Sequence, residues 1–398
     1  MFCARSLAIS TIGESTLTPT MARASPAILF FLTIQKEYTE HSYAVSYRKE
    51  IMHNTMINNL SHSPSYDEIF TLDNLYKAYL YARKGKRKKY YIINFENSLG
   101  ANLEQLYNEL KTRTYRISPH KDFDIWCTAG QKQRHITAPT FRDLIVEFCV
   151  YKAIYDQFDK HLIFDSFGCR KGKGTMHCAD RAHEFVRRYD PELYYLQIDI
   201  RKYYYSIDHN ILRSTLERVL TDKEVVDILM QFVSNRTVGV NVGSLIAQFF
   251  GIIYLNQFDH YVKRVLKIKS YIRYVDDMVF IGLTKEQAIN LRLELVQILH
   301  KLTNLSLSHW KIDKLKHGLN FVGYRAYKNY RIARKRCINS FKKALKKGDD
   351  NALESCLAHL EPSASYSYCM NLLSKSTLNH SNHIQRRLQK WQSTHTLH

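Results

Sequence analysis

The sequence predicts an α+β fold, in which helices pack against a mixed sheet. Short apolar segments of strand length are interspersed with longer segments whose apolar residues repeat at helical spacing. Two of the strand-like segments, residues 270–274 and 278–281, are close enough in sequence to form a hairpin. The chain has 398 residues, 45% hydrophobic and 13% aromatic, which suffices for a buried core and argues against wholesale disorder.

The charge balance indicates a polyanionic partner. Lys and Arg number 58 and Asp and Glu 37, which gives a net charge of +21. An excess of this size suits nucleic acid or an anionic membrane surface better than an acidic small molecule. No apolar run approaches the ~20 residues that span a bilayer, so we expect no membrane partner. Eight cysteines without a CxxC pair favour neither a zinc ribbon nor a disulfide framework, and we expect a cytoplasmic protein.

The N-terminal region differs from the rest of the chain. Residues 1–55 are rich in Ser, Thr and Ala and contain one apolar island, at 26–34. Met52 and Met56 lie just before regular patterning begins. We therefore expect this extension to be disordered or to reflect a wrongly assigned start, and we exclude it from the fold.

The next elements are predominantly helical. Residues 65–110 read as helices interrupted by six cations within residues 83–89. This run is either a solvated loop or a loop that contacts phosphate groups. Residues 133–138 resemble a short strand. Thr140 then has the pattern of a helix N-cap, with Asp143 three residues later.

The C-terminal two thirds alternate strands and helices. Residues 193–199 predict a strand that ends in a carboxylate, and Asp208 is placed to cap the helix after it. Residues 246–262 read as one buried helix. Residues 319–327 predict a strand or hairpin, and a helix over 333–347, rich in cations, ends at Gly348.

Three carboxylates form the most informative pattern. Asp199 ends a predicted strand, and Asp276 and Asp277 lie at the tip of the predicted hairpin. Nucleotidyl transfer uses two divalent cations about 4 Å apart, and a few carboxylates together with substrate phosphates can hold Mg²⁺. An Asp-Asp pair alone is also common in ordinary turns, where each side chain bonds nearby backbone. The order and setting of all three acids make the catalytic interpretation more specific.

Two segments resemble the reverse transcriptase family. They are Ile-Asp-Ile-Arg-Lys-Tyr-Tyr-Tyr-Ser-Ile-Asp-His at 198–209 and Tyr-Val-Asp-Asp at 274–277, and the resemblance covers roughly residues 100–370. It implies a right-hand polymerase fold, with fingers over residues 56–190, a palm over 191–328 and a small helical thumb and tail over 329–398. It also implies an RNA-directed DNA polymerase that uses a template RNA, a primer or cDNA strand and dNTP substrates.

The resemblance assigns roles to the acids and their neighbours. Asp199, Asp276 and Asp277 would be catalytic and bind two Mg²⁺ ions, with Mn²⁺ as the alternative. The Ile200 carbonyl would be a further ligand, and Asp277 is the least certain direct ligand. The nucleotide-binding candidates are Arg134, Lys132, Gln248 and Tyr204, which matches the aromatic steric gate that excludes a 2′ hydroxyl. The alternatives are core packing for Tyr204 and backbone capping for Gln248.

Further residues would contact nucleic acid by the same resemblance. They lie in a basic, Gly-rich turn, before the palm helix, in the primer-grip hairpin and at the start of the thumb helix. These residues are Arg170, Lys171, Lys173, Gly243, Gly323, Arg334, Lys335 and Arg336. Arg142 matches a finger position but equally suits a structural ion pair. Lys311 matches a lysine that could protonate pyrophosphate, although a solvated lysine is the simpler interpretation.

The biological role has competing interpretations. Gly243 followed five residues later by Gln248 resembles the pattern of diversity-generating retroelements, although that group usually has Ser where this chain has Ala247. Reverse transcriptases of antiviral defence, which copy a non-coding RNA or make untemplated DNA, are the alternative. A catalytically silent RNA-binding protein is a third hypothesis. A small accessory protein or a non-coding RNA is a candidate partner.

Overall fold

The computed structural model describes residues 63–127, 132–233 and 237–395, without the side chains of Cys127, Lys132 and His395. The predicted extension over residues 1–55 lies outside the described residues. Within the described residues no helix is both long enough and apolar enough to cross a membrane.

The described chain begins with a group of helices. Ser65 forms a capping box with Glu68, and the Thr71 hydroxyl accepts a hydrogen bond from the Asn74 amide, so local side chains define the first two helix starts. The cationic run falls in the turn between the second and third helices, as predicted. These helices are α1 (Tyr66–Ile69), α2 (Leu72–Ala82), α3 (Tyr90–Glu96) and α4 (Leu99–Lys111).

A two-stranded antiparallel ribbon and a long helix follow. Strands β1 (Lys121–Cys127) and β2 (Lys132–Ala138) pair so that Ile125 lies opposite Arg134. Helix α5 (Phe141–Asp159) begins after Thr140, whose hydroxyl accepts the Asp143 amide hydrogen as predicted. Most of its inward side chains are apolar and buried in the main core.

The central sheet contains, among the described residues, five strands in the order β3–β5–β6–β4–β7. Only the β3–β5 pair is parallel. The hairpin predicted around the Asp pair is confirmed as β5 and β6. The strands are β3 (Ser166–Phe167), β4 (Tyr194–Ile200), β5 (Tyr271–Tyr274), β6 (Asp277–Leu283) and β7 (Leu307–Lys314).

Side chains on alternate faces of this sheet enter two different apolar clusters. Leu196 and Ile198 of β4 lie in the larger cluster, with the helices of the N-terminal half. Tyr195 of β4 and Val279 of β6 lie in a second cluster on the opposite face. Because side chains alternate along a strand, the acids at the strand ends are carried by elements that are fixed on both faces.

Helices between and around these strands complete the central layer. The predicted cap at Asp208 is confirmed, since its carboxylate accepts the amide hydrogens of Asn210 and Ile211. The single helix predicted over 246–262 is instead divided into α9, α10 and a π-helical segment, Tyr261–Val265. The helices are α6 (Thr175–Arg187), α7 (His209–Glu217), α8 (Lys223–Gln231), α9 (Leu245–Ile253), α10 (Asn256–His260) and α11 (Lys285–Thr303).

The C-terminal part combines a small antiparallel sheet with helices. The predicted hairpin is confirmed: its turn, Val322 and Gly323, has positive φ at both residues, as a tight two-residue turn requires. The predicted basic helix ends at Gly348 in the left-handed conformation. The elements are β8 (Leu319–Phe321), β9 (Tyr324–Ala326), β10 (Arg331–Ala333), α12 (Lys335–Lys347), α13 (Asp350–Leu360), α14 (Ser365–Ser374) and α15 (Asn382–His395).

The alternation of strands and helices, with an antiparallel-rich central sheet, confirms the predicted α+β class.

Candidate active site

Asp199 lies near the end of β4, the strand between β6 and β7. Its register partner on β7 is His309, and a β-bulge follows between Asp199 and Ile200. The Ser308 hydroxyl donates a hydrogen bond of 2.6 Å to the Asp199 carboxylate. A bulge re-aims side chains at a strand end, and the serine fixes one carboxylate oxygen. Ile200, whose backbone carbonyl is the further candidate ligand, is the last residue of the same strand.

Asp276 and Asp277 lie at the tip of the β5–β6 hairpin, beside Asp199. On β4, Ile198 pairs with Met278, so continuation of this register brings Asp199 opposite Asp277. The turn residue Val275 has φ of +57°, which is costly for a β-branched side chain and is typical of functional turns. The sheet therefore brings together the three acids predicted from the sequence.

Asp277, like Asp199, accepts a hydrogen bond from a side chain of the protein. Gln197, two residues before Asp199 on β4, donates a 2.9 Å hydrogen bond to the Asp277 carboxylate. This arrangement occupies one Asp277 oxygen with a protein donor. That Asp277 is the least certain direct metal ligand stays a prediction.

The acids repel one another. Burial, and then the charge of Asp199, raise the pKa of Asp276 above its ordinary value. Burial raises the pKa of Asp277 to about 7; the Gln197 hydrogen bond opposes this shift, and Asp199 and Asp276 add to it. Neighbouring carboxylates repel each other when both are ionised. A cation bound between them would offset this repulsion, so the cluster is a suitable environment for cations.

The donor set fits a partly open magnesium site. Across the residues that the structure describes, no group of three or more His, Cys, Asp and Glu side chains is arranged to hold a metal ion. Asp199 and Asp276 provide two hard carboxylates, and the Ile200 carbonyl is adjacent to Asp199 in the chain. Mg²⁺ retains waters and is usually bound through one or two carboxylates plus substrate phosphates, so this incomplete set is compatible with it.

The hairpin that carries the acids is fixed by a buried ion pair that sequence reasoning missed. The Arg273 guanidinium contacts the Asp259 carboxylate at 2.5 Å, and both side chains are fully buried. Arg273 also donates to the Val275 carbonyl at 2.8 Å, and Tyr271 donates to Asp259 at 2.6 Å. An arginine within an otherwise apolar strand was the available signal, because an isolated buried charge is too costly to leave without a partner.

Tyr204 lies close to the acids and packs against helix α9. A Cβ atom on Gly251 would lie 2.8 Å from the Tyr204 ring, so the missing side chain of Gly251 makes room for the ring. Burial raises the pKa of Tyr204, and the charge of Asp276 adds to the shift. The ring is half-buried, and this placement is compatible with both packing and a steric gate.

The Gly243–Gln248 segment approaches the ribbon strand β2. Gly243 has φ of +127°, and a Cβ atom there would lie 2.7 Å from the Ile136 side chain. Gly243 is therefore required for this close approach, which is a structural reason independent of any nucleic acid. Gln248 is exposed, and the Cys169 thiol donates to its side-chain oxygen at 3.6 Å.

Arg134 of β2 lies near enough to the acids for its charge to oppose the rise in the pKa of Asp276. This places it at the candidate nucleotide site. Arg142, in contrast, pairs with Glu109 and lies over the Tyr115 ring. These contacts favour the second interpretation of Arg142, a structural ion pair. The Lys132 side chain lies outside the described residues.

Cations of the predicted basic turn contact other groups of the protein. Arg170 is buried, donates to the Asp159 carboxylate at 2.8 Å and also donates to three backbone carbonyls. Lys173 donates to the Phe164 carbonyl, and burial lowers its pKa to about 8. The structure thus places Arg170 and Lys173 in contacts within the protein, and the buried Arg170 donors require such partners. Lys171 is exposed, 3.3 Å from Asp156.

The primer-grip candidate Gly323 lies in the turn between β8 and β9, next to helix α13. It has φ of +96°, and a Cβ atom there would lie 3.0 Å from the His359 ring of α13. Arg334 donates to the Asn320 side chain at 2.6 Å, and its charge opposes the rise in the pKa of Asp277. It therefore lies near the acid cluster, and its contact with nucleic acid stays a prediction. Lys335 and Arg336 are exposed at the start of α12.

Lys311, the candidate acid for pyrophosphate release, has a partner. Its ammonium group lies 2.8 Å from the Asp313 carboxylate on the same strand. Hydrogen bonding to Asp313 raises the pKa of Lys311. The strand pairs Lys311 with Gln197, the residue that bonds Asp277, so Lys311 lies two strands away from the Asp pair.

The geometry agrees with a family comparison. Residues 127–326 match the family model described as reverse transcriptase (RNA-dependent DNA polymerase). The chain belongs to this family, which confirms the predicted enzyme class at the level of the family, and its sheet and helices form the α+β right-hand polymerase fold expected from the sequence.

Individual relatives are distant. The chain is 26% identical over 127 residues to the putative COX1/OXI3 intron 1 protein of Saccharomyces cerevisiae; the match covers 32% of this chain and 15% of that protein. Telomerase from Candida albicans, in complex with a TWJ fragment of telomeric RNA, matches with a TM-score of 0.44 and 10% identity, covering 68% of this chain and 58% of that one. Apo telomerase from Candida tropicalis matches with a TM-score of 0.46 and 13% identity, covering 66% and 60%.

Proposed function

We propose that this chain is an RNA-directed DNA polymerase that copies a template RNA into cDNA from dNTP substrates, with the Asp199–Asp276–Asp277 cluster as its catalytic centre. The observation that carries the proposal is the convergence of these acids at one end of the sheet, inside the region that matches the family. The raised pKa of Asp276, caused by burial and by Asp199, supports it because such a site favours cations.

The proposed mechanism divides the work among the chain's own residues. Asp199 and Asp276 would hold divalent cations, with the Ile200 carbonyl as a further ligand. When bound, these ions would activate the primer 3′ hydroxyl and neutralise the triphosphate. Asp277 would orient the pair through its hydrogen bond with Gln197.

Neighbouring side chains would bind and select the nucleotide. Arg134 would bind the triphosphate with a charge-assisted fork, and Lys132 is its weaker companion. Tyr204 would occupy the volume of a 2′ hydroxyl, and Gln248 would contact the base or sugar edge with its amide. The exposed cations Lys171, Lys335 and Arg336 would attract nucleic-acid phosphates.

The proposed division into fingers, palm and thumb follows the elements. The fingers, over residues 56–190, would include α1–α6 with the β1–β2 ribbon. The palm, over 191–328, would contain most of the central sheet and the acids, and the thumb, over 329–398, would contain α12–α15. The described cysteines are free thiols, which supports the proposed cytoplasmic location.

Within this activity we propose a role in a diversity-generating retroelement, with a small accessory protein or a non-coding RNA as a further partner. The support is the Gly243-to-Gln248 pattern, with Gln248 exposed at the first turn of α9. Ala247 departs from the pattern, and it is buried. An antiphage role is the alternative. A repeat pair and a variable target gene beside the coding gene favour the first role, and their absence favours the second.

Primer extension tests the proposed activity. Purified wild-type protein should extend a DNA primer on an RNA template with dNTPs and Mg²⁺, and Asp276→Ala should abolish extension while RNA binding persists. Wild-type protein that binds RNA but extends none of a panel of primed templates, its co-purified RNA included, would instead identify a silent RNA-binding protein.

A further inference from the structure

Glu147 is a fully buried carboxylate of helix α5 that contacts the start of helix α9. It accepts hydrogen bonds from the Ser244 hydroxyl at 2.6 Å and the Leu245 amide at 3.0 Å. The Ile246 amide also bonds to it. The first amides of a helix have no partner within the helix. Glu147 therefore supplies, from 97 residues away, the acceptors that the first turn of α9 needs.

The same turn is held from the opposite side by the β1–β2 ribbon. The Thr137 amide of β2 donates to the Val242 carbonyl at 2.8 Å. Gly243 lies so close to β2 that a Cβ atom would be 2.7 Å from Ile136. The segment that ends in Gln248 is thus held between Glu147 and the strand that carries Arg134.

Maintaining a carboxylate here costs folding free energy. Burial raises the pKa of Glu147 to about 7, Asp143 on the same helix adds to the shift, and the Ser244, Leu245 and Ile246 hydrogen bonds oppose it. The pKa in the folded state exceeds the ordinary value of 4.5. The stability that goes with the protonated form is therefore lost as the pH rises from about 4.5 through 7. Since an apolar residue is often cheaper at a buried position, this cost favours a functional reason for the acid.

We propose that Glu147 is a positioning residue, which fixes the first turn of α9 so that Gln248 meets the incoming nucleotide and its template base. The proposal rests on the proposed polymerase function. Glu147 would not touch the substrate; it would act through the Ser244–Gln248 turn. Loss of its second oxygen should therefore impair nucleotide recognition more than the chemical step.

Single-nucleotide insertion on a primed RNA template tests this role. Glu147→Gln keeps the volume and one oxygen that can accept from the Leu245 amide, but its N–H₂ group has to donate to the Ser244 hydroxyl instead of accepting from it, so the bond that fixes Ser244 is reversed. We expect KM for the matched dNTP to rise about tenfold, with kcat changed less than about threefold. Ser244→Ala removes one donor and leaves the carboxylate, so it should raise KM by a smaller factor. This variant replaces Glu147→Gln in the test if Glu147→Gln does not fold.

Asp143→Asn is the matched control. Asp143 lies one turn earlier on α5 and is also fully buried, but it accepts from the Tyr115 hydroxyl at 2.7 Å and the Ser118 amide at 3.0 Å. Neither of these bonds reaches the Ser244–Gln248 turn. The midpoint temperature of thermal unfolding should fall in both variants, whereas only Glu147→Gln should raise KM.

A double-mutant cycle with Gln248→Ala completes the test. If Glu147 acts through Gln248, Glu147→Gln should change KM by less than about twofold in the Gln248→Ala background. Full additivity, or a Glu147→Gln variant that behaves like Asp143→Asn, would overturn the positioning role while leaving the polymerase function intact. An inactive wild-type protein would instead overturn the proposed function, and the inference with it.

Discussion

Asp277, like Asp199, accepts a hydrogen bond from a side chain of a neighbouring strand. Gln197 lies 2.9 Å from its carboxylate, and burial raises its pKa to about 7. A buried acid with a donor neighbour can remain neutral at moderate pH. Asp277 thus combines two roles: when ionised it adds negative charge beside the metal candidates, and through Gln197 it fixes the end of β6 against β4.

The raised pKa of Asp277 predicts a pH dependence of stability. The value in the folded state exceeds the ordinary 3.8, so the stabilisation is complete below about pH 4 and is lost as the pH rises through 7. Asp277→Asn keeps an oxygen that accepts from Gln197 but cannot ionise. In metal-free buffer we expect the urea midpoint to fall less between pH 5 and pH 8 in this variant than in the wild type. Equal falls would contradict the assignment.

Tyr204 gives a second prediction for a single residue. Its ring lies against Gly251 and near Asp276, where a sugar could rest on it. Tyr204→Ala should increase incorporation of ribonucleotides relative to deoxynucleotides, measured by single insertion with matched rNTP and dNTP. Tyr205→Ala, at the exposed neighbouring tyrosine, is the control and should leave the ratio unchanged. Unchanged discrimination in Tyr204→Ala would show that the ring only packs.

At the scale of the element, the β5–β6 hairpin is held by a buried ion pair that also supports its turn. Arg273 bonds both Asp259 and the Val275 carbonyl, so one guanidinium connects helix α10, strand β5 and the strained turn. Removing one partner of a buried pair leaves an uncompensated charge, at a cost of about 3–5 kcal/mol. Removing both charges is far less costly.

Stability and activity should therefore respond differently to changes in this pair. Arg273→Met should lower the free energy of unfolding strongly, and Arg273→Met with Asp259→Asn should recover much of the loss, since Tyr271 keeps an acceptor. Primer extension should stay low in both, because the Val275 carbonyl has lost its donor. Urea unfolding and extension assays on the same preparations check this. Recovery of both properties together would mean that the arginine contributes stability alone.

Local chemistry made some elements predictable and left others out of reach. The caps at Thr140 and Asp208 and the stop at Gly348 depend on residues within one turn of the helix end, and the structure confirms them. The hairpin around the Asp pair follows from two adjacent apolar runs. The bonds Gln197–Asp277 and Glu147–Ser244 join residues 80 and 97 positions apart, and no local pattern encodes such partners.

At the scale of the whole molecule, some of the cations behind the net charge of +21 are bound by groups of the protein and others are exposed. Arg170, Arg142 and Lys173 are engaged by protein groups, which composition alone could not show. Lys84, Lys88 and the start of α12 remain exposed. The sequence predicts a polyanionic partner, but it could not separate structural cations from those available to phosphates.

The exposed cations predict a strong salt dependence of RNA binding. Each phosphate contact releases counterions and adds about 0.7–0.9 to the slope of log K against log salt. Filter binding between 50 and 400 mM KCl should show a steep, linear loss of affinity. Replacing Lys84, Lys86, Arg87 and Lys88 by Gln tests the two interpretations of the cationic loop: a smaller slope indicates phosphate contact, whereas an unchanged slope indicates a solvated loop. A flat dependence in the wild type would contradict the charge argument.

The most direct test of the whole account is a Mg²⁺ titration of primer extension on an RNA template, with wild-type protein, Asp199→Asn and Asp227→Asn. Asp227 is an exposed acid of helix α8 that pairs with Arg213, so its variant is the control for loss of one charge. We predict Mg²⁺-dependent extension by the wild type and the control, and none by Asp199→Asn at any Mg²⁺ concentration. Wild-type-like extension by Asp199→Asn would contradict the claim that this acid cluster is the catalytic centre.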